Sequence, residues 1–212
     1  MRVLIAAMGS RGDVQPVLAL ATALRARGHE SVVNAPPDFA AWAGELGVPF
    51  VASGQSAQEV LTEHAADMGA NPLRMLGLVR KIIAAEMPGW FERTLEAARG
   101  FDAIVSAGQF AASSVAEKLG IPCFNVVYSP TMLRSAHHPP FVARLQGLPR
   151  WMNSLLWSLS DSMIHRMLAG PLNGAREKFG LARLDSIPRH LFAGGSAGTS
   201  SRPGVGAGLH AG

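Results

Sequence analysis

Within its first thirty residues the chain runs through a strand, a glycine-bearing turn and a helix, and that order restricts what can follow. Arg2–Met8 (RVLIAAM) reads as a buried strand, Gly9–Pro16 (GSRGDVQP) as a tight loop, and Val17–Arg27 as a helix that Gly28-His29-Glu30 ends. A strand this apolar, followed at once by a helix, belongs in a sheet covered on both faces. Ligands of such sheets bind beyond the carboxyl ends of the strands, where the first turn places Asp13.

The pattern repeats. Ser31–Asn34 reads as a second strand, with Pro36-Pro37 and a helix from Asp38 to Gly47; proline early and glycine just past the end are the expected punctuation. Pro49–Ala52 is a short third strand, Phe101–Ser106 a fourth, and Ile121–Val127 a fifth. Between the last two lies a helix from Ala111 to Leu119, closed by Gly120. Leu191-Phe192-Ala193 reads as the start of one more strand. Four or five strand–helix units of this kind predict an α/β fold, a Rossmann-like parallel sheet with helices on both faces.

Two helical insertions break the rhythm. Ser56–Arg99 carries Met75, Leu76, Val79, Ile82, Ile83, Trp90, Phe91 and Leu95. Trp151–Phe179 carries Met152, Leu155, Leu156, Trp157, Leu159, Met163 and Met167. Two readings stand: packing onto the sheet, or an adaptable apolar wall beside a ligand cleft.

Composition narrows the class. The 212 residues hold one large domain, or at most two small ones, and suffice to bury a core. With 48% hydrophobic and 16% charged residues the chain reads as a soluble, rather apolar globular protein. No apolar run reaches the roughly 18 residues of a spanning helix, and the interrupted start is not a signal peptide. A single cysteine, Cys123, suits a reducing, cytoplasmic setting and sits in an apolar strand, where a small buried hydrophobe is expected. The net charge of +4 comes from scattered basic residues without interleaved aromatics, which argues against nucleic acid. A peripheral attraction to anionic membrane surfaces is the most it supports.

Three segments together resemble a known family. They are Arg2-Val3-Leu4-Ile5 through Gly9-Ser10-Arg11-Gly12-Asp13-Val14-Gln15-Pro16 with Leu18–Ala21, Ala35-Pro36-Pro37-Asp38-Phe39, and Ala111–Pro122 (AASSVAEKLGIP). Over Met1–Ala193 the chain is similar to the N-terminal, acceptor-binding domain of two-domain inverting glycosyltransferases. The similarity is to those acting on sterols and on glycopeptide and macrolide antibiotics. The resemblance implies the N-terminal half of a GT-B fold and no metal or cofactor. It implies a nucleotide sugar (a UDP- or TDP-sugar) as co-substrate and a hydrophobic small-molecule acceptor. It makes Asp13 the general base and lays Ser10 and Gly12 against the acceptor hydroxyl and donor phosphates.

The chemistry is coherent. An attacking alcohol must lose its proton as the new C–O bond forms, and a carboxylate within hydrogen-bond reach can take it. The glycines let backbone approach a ligand, and a helix N-terminus offers N–H groups to phosphate. The same positive end holds the carboxylate ionised and weakens it as a base, so burial by an apolar acceptor has to offset it. By spacing alone Asp13 is equally a helix cap. Ser10 is equally a turn residue bonding its own backbone, and Arg11 is expected to face solvent or a surface acid. Gln109, Ser129, Thr131 and His137 follow the fourth and fifth strands and are expected on the acceptor rim. Adjacent His137 and His138 point apart in an extended segment and make a poor metal pair. His64 reads as a surface or packing residue.

Residues 194–212 are almost wholly Gly, Ala, Ser, Thr, Arg and Pro and are expected to be disordered. Their composition looks like GC-rich DNA read out of frame, and no donor-domain pattern follows Ala193. The expectation is therefore a truncated transferase, inactive alone for lack of the donor domain. Alternatives are a non-catalytic acceptor-binding module, one subunit of a split transferase, or an unrelated Rossmann-type nucleotide binder. The last is disfavoured because the first loop lacks the G-x-G-x-x-G spacing.

Overall fold

The computed structural model of the protein describes residues 1–63, 72–140, 143 and 146–192. The chain order is β1 (Arg2–Ala7), α1 (Arg11–Ala26), β2 (Glu30–Ala35), a 3-10 turn (Pro37–Phe39), α2 (Ala40–Glu45), β3 (Phe50–Ala52) and α3 (Ala57–Glu63). Then come α4 (Pro72–Ala97), β4 (Ala103–Ala107), α5 (Ala112–Leu119), β5 (Cys123–Asn125), a second 3-10 turn (Pro130–Met132), α6 (Arg150–Lys178) and α7 (Ile187–Phe192).

All five strands pair in parallel, in the order β3-β2-β1-β4-β5. β1 is central, with Leu4 between Val32 of β2 and Ile104 of β4. Its side chains alternate between two cores, as the two-residue strand period dictates. Leu4 and Ala6 join α4, α5, α6 and α7 on one face, while Val3, Ile5 and Ala7 join α1 and α2 on the other. Burying each large aliphatic side chain contributes about 1.5–3 kcal/mol relative to leaving it in water.

Three expectations need correction. Helix α1 begins at Arg11, not Val17, so the turn shrinks to Gly9 and Ser10. The buried stripe Val14, Val17, Leu18, Ala21 has helical spacing from Val14 onward, and that stripe overrides the turn residues around it. Leu191 and Phe192 end a helix rather than start a strand; Ile187 and Leu191, four apart, both turn into the core. Cys123 is half-buried rather than buried, because β5 is the sheet edge. Burial still pushes its thiol pKa up, against a weaker pull from Ser113. Phe124 beside it is exposed.

Part of each insertion packs onto the sheet, and part lines a cavity. Met87, Phe91, Leu168 and Leu172 are core residues, and Phe91 stacks on Phe179 at 4.3 Å between centroids. Ile83 and Trp90, also core residues, line a cavity together with Val79, Ile82 and Met167. Trp151, Leu155 and Leu159 are exposed. The described residues hold no helix long and apolar enough to cross a membrane. His64 and residues 194–212 lie outside the described residues, as do the side chains of Met75 and Leu76.

A buried polar cluster joins α5, α6 and α7. Arg176, 1% exposed, donates to both carboxylate oxygens of Glu117, to Ser114 Oγ and to the Ala182 carbonyl. Ser114 Oγ also lies 2.9 Å from His190 Nε2.

Candidate functional site

Connections from β1 lead first toward β2, and the chain later returns to lay β4 on the other side of β1. This reversal opens a crevice at the carboxyl ends of β1 and β4, the place where α/β sheets bind ligands. The crevice is a cavity of about 480 Å³. Its floor comes from the residues that follow the strands: Met8, Gly9 and Ser10 after β1, Pro36 after β2, Ser53 after β3, Gln109 and Phe110 after β4. Its apolar wall is the face of α4 bearing Val79, Ile82, Ile83, Glu86 and Trp90, with Met167 from α6.

Ser10 and Asp13 mark one edge. Ser10 is the N-cap of α1 and Asp13 is its third helical residue. Asp13 Oδ2 accepts from the Ser10 backbone N–H at 2.8 Å and from Ser10 Oγ at 3.2 Å. Gly9, with φ of +119°, places its Cα against this carboxylate; a Cβ there would collide with Asp13 Oδ2. Asp13 is half-buried and touches the cavity through Gly9 and Ser10 rather than lining it. The Tyr128 hydroxyl donates to the Asp13 carbonyl at 2.7 Å and ties the segment after β5 to α1. Burial, with the Asp13 charge adding to it, pushes Tyr128 up to about 12, so it stays a donor across the physiological range.

Gln109 lines the cavity and is 2% exposed. Its Oε1 accepts from the backbone N–H groups of Ala111 and Ala112 at 2.8 and 2.7 Å, capping α5. Its Nε2 donates to Thr94 Oγ1 at 2.7 Å. Thr94 in turn donates to Asn34 Oδ1 at 3.4 Å. With its amide committed, Gln109 acts as a rigid wall, since buried polar networks that are satisfied hold one geometry.

The other sequence candidates fall elsewhere. Arg11 and Gly12 are exposed on the first turn of α1, and the Arg11 guanidinium lies over the Trp42 ring at 5.1 Å rather than meeting an acid. Ser129 and Thr131 bond each other at 2.7 Å and start the second 3-10 turn. His137 is exposed, with its backbone N–H on Ser135 Oγ. None of these five lines the cavity. Among the described residues no three His, Cys, Asp or Glu side chains converge as a metal site would require.

Sequence reasoning missed Ser53, Glu86 and Tyr128. Ser53 is 6% exposed, and its hydroxyl has no hydrogen-bond partner among the described residues. A rule that inspects the residues immediately after each parallel strand finds Ser53 as readily as Ser10. Tyr128, directly after the fifth strand read from the sequence, is found by the same rule, whereas Glu86 carries no such local signal.

A parallel sheet with an apolar cavity at its switch point and a capped helix N-terminus beside it defines a Rossmann-like domain. The chain belongs to the glycosyltransferase family 28 N-terminal domain family, which it matches over residues 3–138. It is 37% identical to glycosyltransferase GtfE of Amycolatopsis orientalis over 198 residues, which is 91% of this chain and 47% of that protein. It is 34% identical to the vancomycin aglycone glucosyltransferase of the same organism over 195 residues, 88% of this chain and 46% of that one. The chain thus spans about half the length of the curated relatives it matches. The crystal structure of glycosyltransferase VinC with dTDP shares the fold, with a TM-score of 0.54 at 20% identity over 89% of this chain and 47% of VinC. The fold is that of the N-terminal Rossmann-like domain of GT-B glycosyltransferases.

Proposed function

We propose that this domain holds the acceptor of an inverting sugar transfer from a nucleotide sugar to a hydroxyl of a hydrophobic aglycone. The observation that carries the reading is the apolar cavity at the carboxyl ends of β1 and β4, edged by Ser10 and the Asp13 carboxylate behind it. The acceptor body enters between Val79, Ile83, Trp90, Phe110 and Met167, and its hydroxyl points toward the turn. Asp13 uses Oδ2 for its two bonds to Ser10, and Oδ1 accepts none among the described residues. Oδ1 takes the hydroxyl proton as the oxygen attacks the anomeric carbon, and the nucleoside diphosphate leaves from the opposite face. The donor, a UDP- or TDP-sugar, sits in a second domain facing this one across the cleft, and no metal or cofactor takes part. Holding both reactants in register supplies much of the rate, so transfer requires that second domain in the same chain or as a partner. At the membrane the contact is peripheral, and the setting is the cytoplasm.

One observation favours a second reading, an acceptor-binding module without chemistry: Asp13 is engaged by its own helix cap and does not line the cavity. Asp13→Asn separates the two. The full chain, alone and mixed with a family donor domain, is given UDP- and dTDP-sugars and a panel of flat apolar alcohols. Products are followed by mass spectrometry and acceptor affinity by calorimetry. Transfer that falls at least 100-fold in Asp13→Asn, with acceptor affinity unchanged, is the expected result. Binding without transfer in the wild-type chain under both conditions supports the module instead.

A further inference from the structure

Among the described residues that line the cavity, Glu86 is the one ionisable side chain. Glu86 projects from α4 on the same face as Val79, Ile82, Ile83 and Trp90, which lie seven, four and three residues before it and four after. Its side chain is 19% exposed. An acid on an otherwise apolar wall is costly to retain unless something compensates it.

The compensation within the chain is partial. Arg93, two turns further along α4 and outside the cavity lining, reaches Glu86 Oε2 through Nη2 at 3.3 Å, a single long contact. The Arg93 side chain is 41% exposed and its Nε is buried without a partner among the described residues. It folds back along the helix across Gly89, where a Cβ would sit 2.9 Å from Nη2. A carboxylate accepts about four hydrogen bonds, so Glu86 keeps most of its capacity for a ligand. Ser53 also lines the cavity, but its Oγ is sealed from solvent and has no partner among the described residues, so it is not presented to a ligand.

We infer that Glu86 makes this cavity selective for apolar acceptors that carry a protonated amine. The inference rests on the reading of the cavity as the acceptor pocket. An ammonium group has three N–H donors and no acceptor, which complements a carboxylate with open acceptor positions. The pairing is charge-assisted and formed where water is largely displaced, so it is stronger than the contact a neutral hydroxyl makes at the same place. The apolar body fills the rest of the wall. Arg93 sets the strength of the preference by competing for Glu86, and Gly89 permits that competition.

The test titrates the full chain with two fluorescent probes that share one apolar body, 1-pyrenemethylamine and 1-pyrenemethanol, at neutral pH and low salt. The amine is expected to bind at least tenfold more tightly. Glu86→Gln should bring the two affinities within about twofold by weakening the amine alone, and Arg93→Met should tighten the amine severalfold. Equal affinities in the wild type, or an amine preference that survives Glu86→Gln, overturn the role of Glu86 while leaving the cavity as an apolar acceptor pocket. Failure of both probes to bind the wild-type chain overturns the pocket reading and the selectivity with it. Should Glu86→Gln fail to fold, Arg93→Met decides: a tighter amine supports the inference, and an unchanged or weaker one overturns it.

Discussion

Arg176→Met removes the guanidinium that holds α5 to α6 while filling most of its volume. In the wild type, Arg176 Nη1 donates to Ser114 Oγ at 2.9 Å and to Glu117 Oε2 at 2.8 Å. Nη2 donates to Glu117 Oε1 at 3.1 Å, and Nε to the Ala182 carbonyl at 2.8 Å. Hydrogen bonds to charged groups contribute about 1.5–3 kcal/mol each net of water. The sum is offset by the several kcal/mol that burying the guanidinium costs. Glu117, at 42% exposed, recovers water when its partner is lost, whereas the buried Ser114 recovers less. The balance is a loss of about 2–4 kcal/mol. For a domain of this size each kcal/mol shifts Tm by about 2–4 °C, which places the drop at about 4–16 °C. Urea unfolding followed by circular dichroism should show a lower midpoint at unchanged slope. Because the two residues act as a unit, Glu117→Met combined with Arg176→Met should cost at least about 1 kcal/mol less than the two single losses added together. A Tm for Arg176→Met at or above the wild-type value would refute the claim that this cluster fastens the helical layer.

Acid should loosen the same cluster. Burial, then the neighbouring Arg176 charge, push His190 down to about 4 from an ordinary 6.5, with Glu117 pulling weakly the other way. The folded state therefore keeps His190 neutral while the unfolded chain binds a proton, so stability is complete above pH 6.5 and falls as pH drops toward 4. The gap corresponds to about 3 kcal/mol. The Arg176 hydrogen bond holds Glu117 below the usual carboxylate range against its own desolvation, and that stability too is lost as pH falls through its folded value. A His190→Gln variant should flatten the fall between pH 6.5 and 4; a wild-type stability curve already flat there would contradict the assignment. Gly9→Ala must place a side chain at φ +119° and against Asp13 Oδ2. It should cost about 1–3 kcal/mol in urea unfolding and, with Asp13 displaced, reduce transfer in the complemented assay. Wild-type stability and transfer in Gly9→Ala would show that the turn does not position the carboxylate.

Periodicity and punctuation in the chain determined a great deal. The five strands, their apolar character and the helices between them are legible because a strand repeats every two residues and a helix every 3.6. The GSRGDVQP turn and the AASSVAEKLGIP helix carried the family as well. What the pattern misjudged are ends and edges. Helix α1 absorbs the turn back to Arg11 because Val14 has a core to enter, and Leu191 is helical because Ile187 and Leu191 share a buried face. Strand β5 leaves Cys123 half-open because no further strand of the described sheet pairs beyond it.

The site divides the same way. Ser10, Asp13 and Gln109 follow strand ends, so the linear sequence marks them. Which strand ends meet is decided by the order β3-β2-β1-β4-β5, and no local signal encodes that order. Only the folded chain brings Glu86, Ser53 and Gln109 around one hollow, sets Ser129, Thr131 and His137 apart from it, and closes Arg176 over Glu117, 59 residues away. Local pattern records which surfaces need burial; the partners that bury them are chosen by long-range packing, where the free energy of one arrangement is compared with every other.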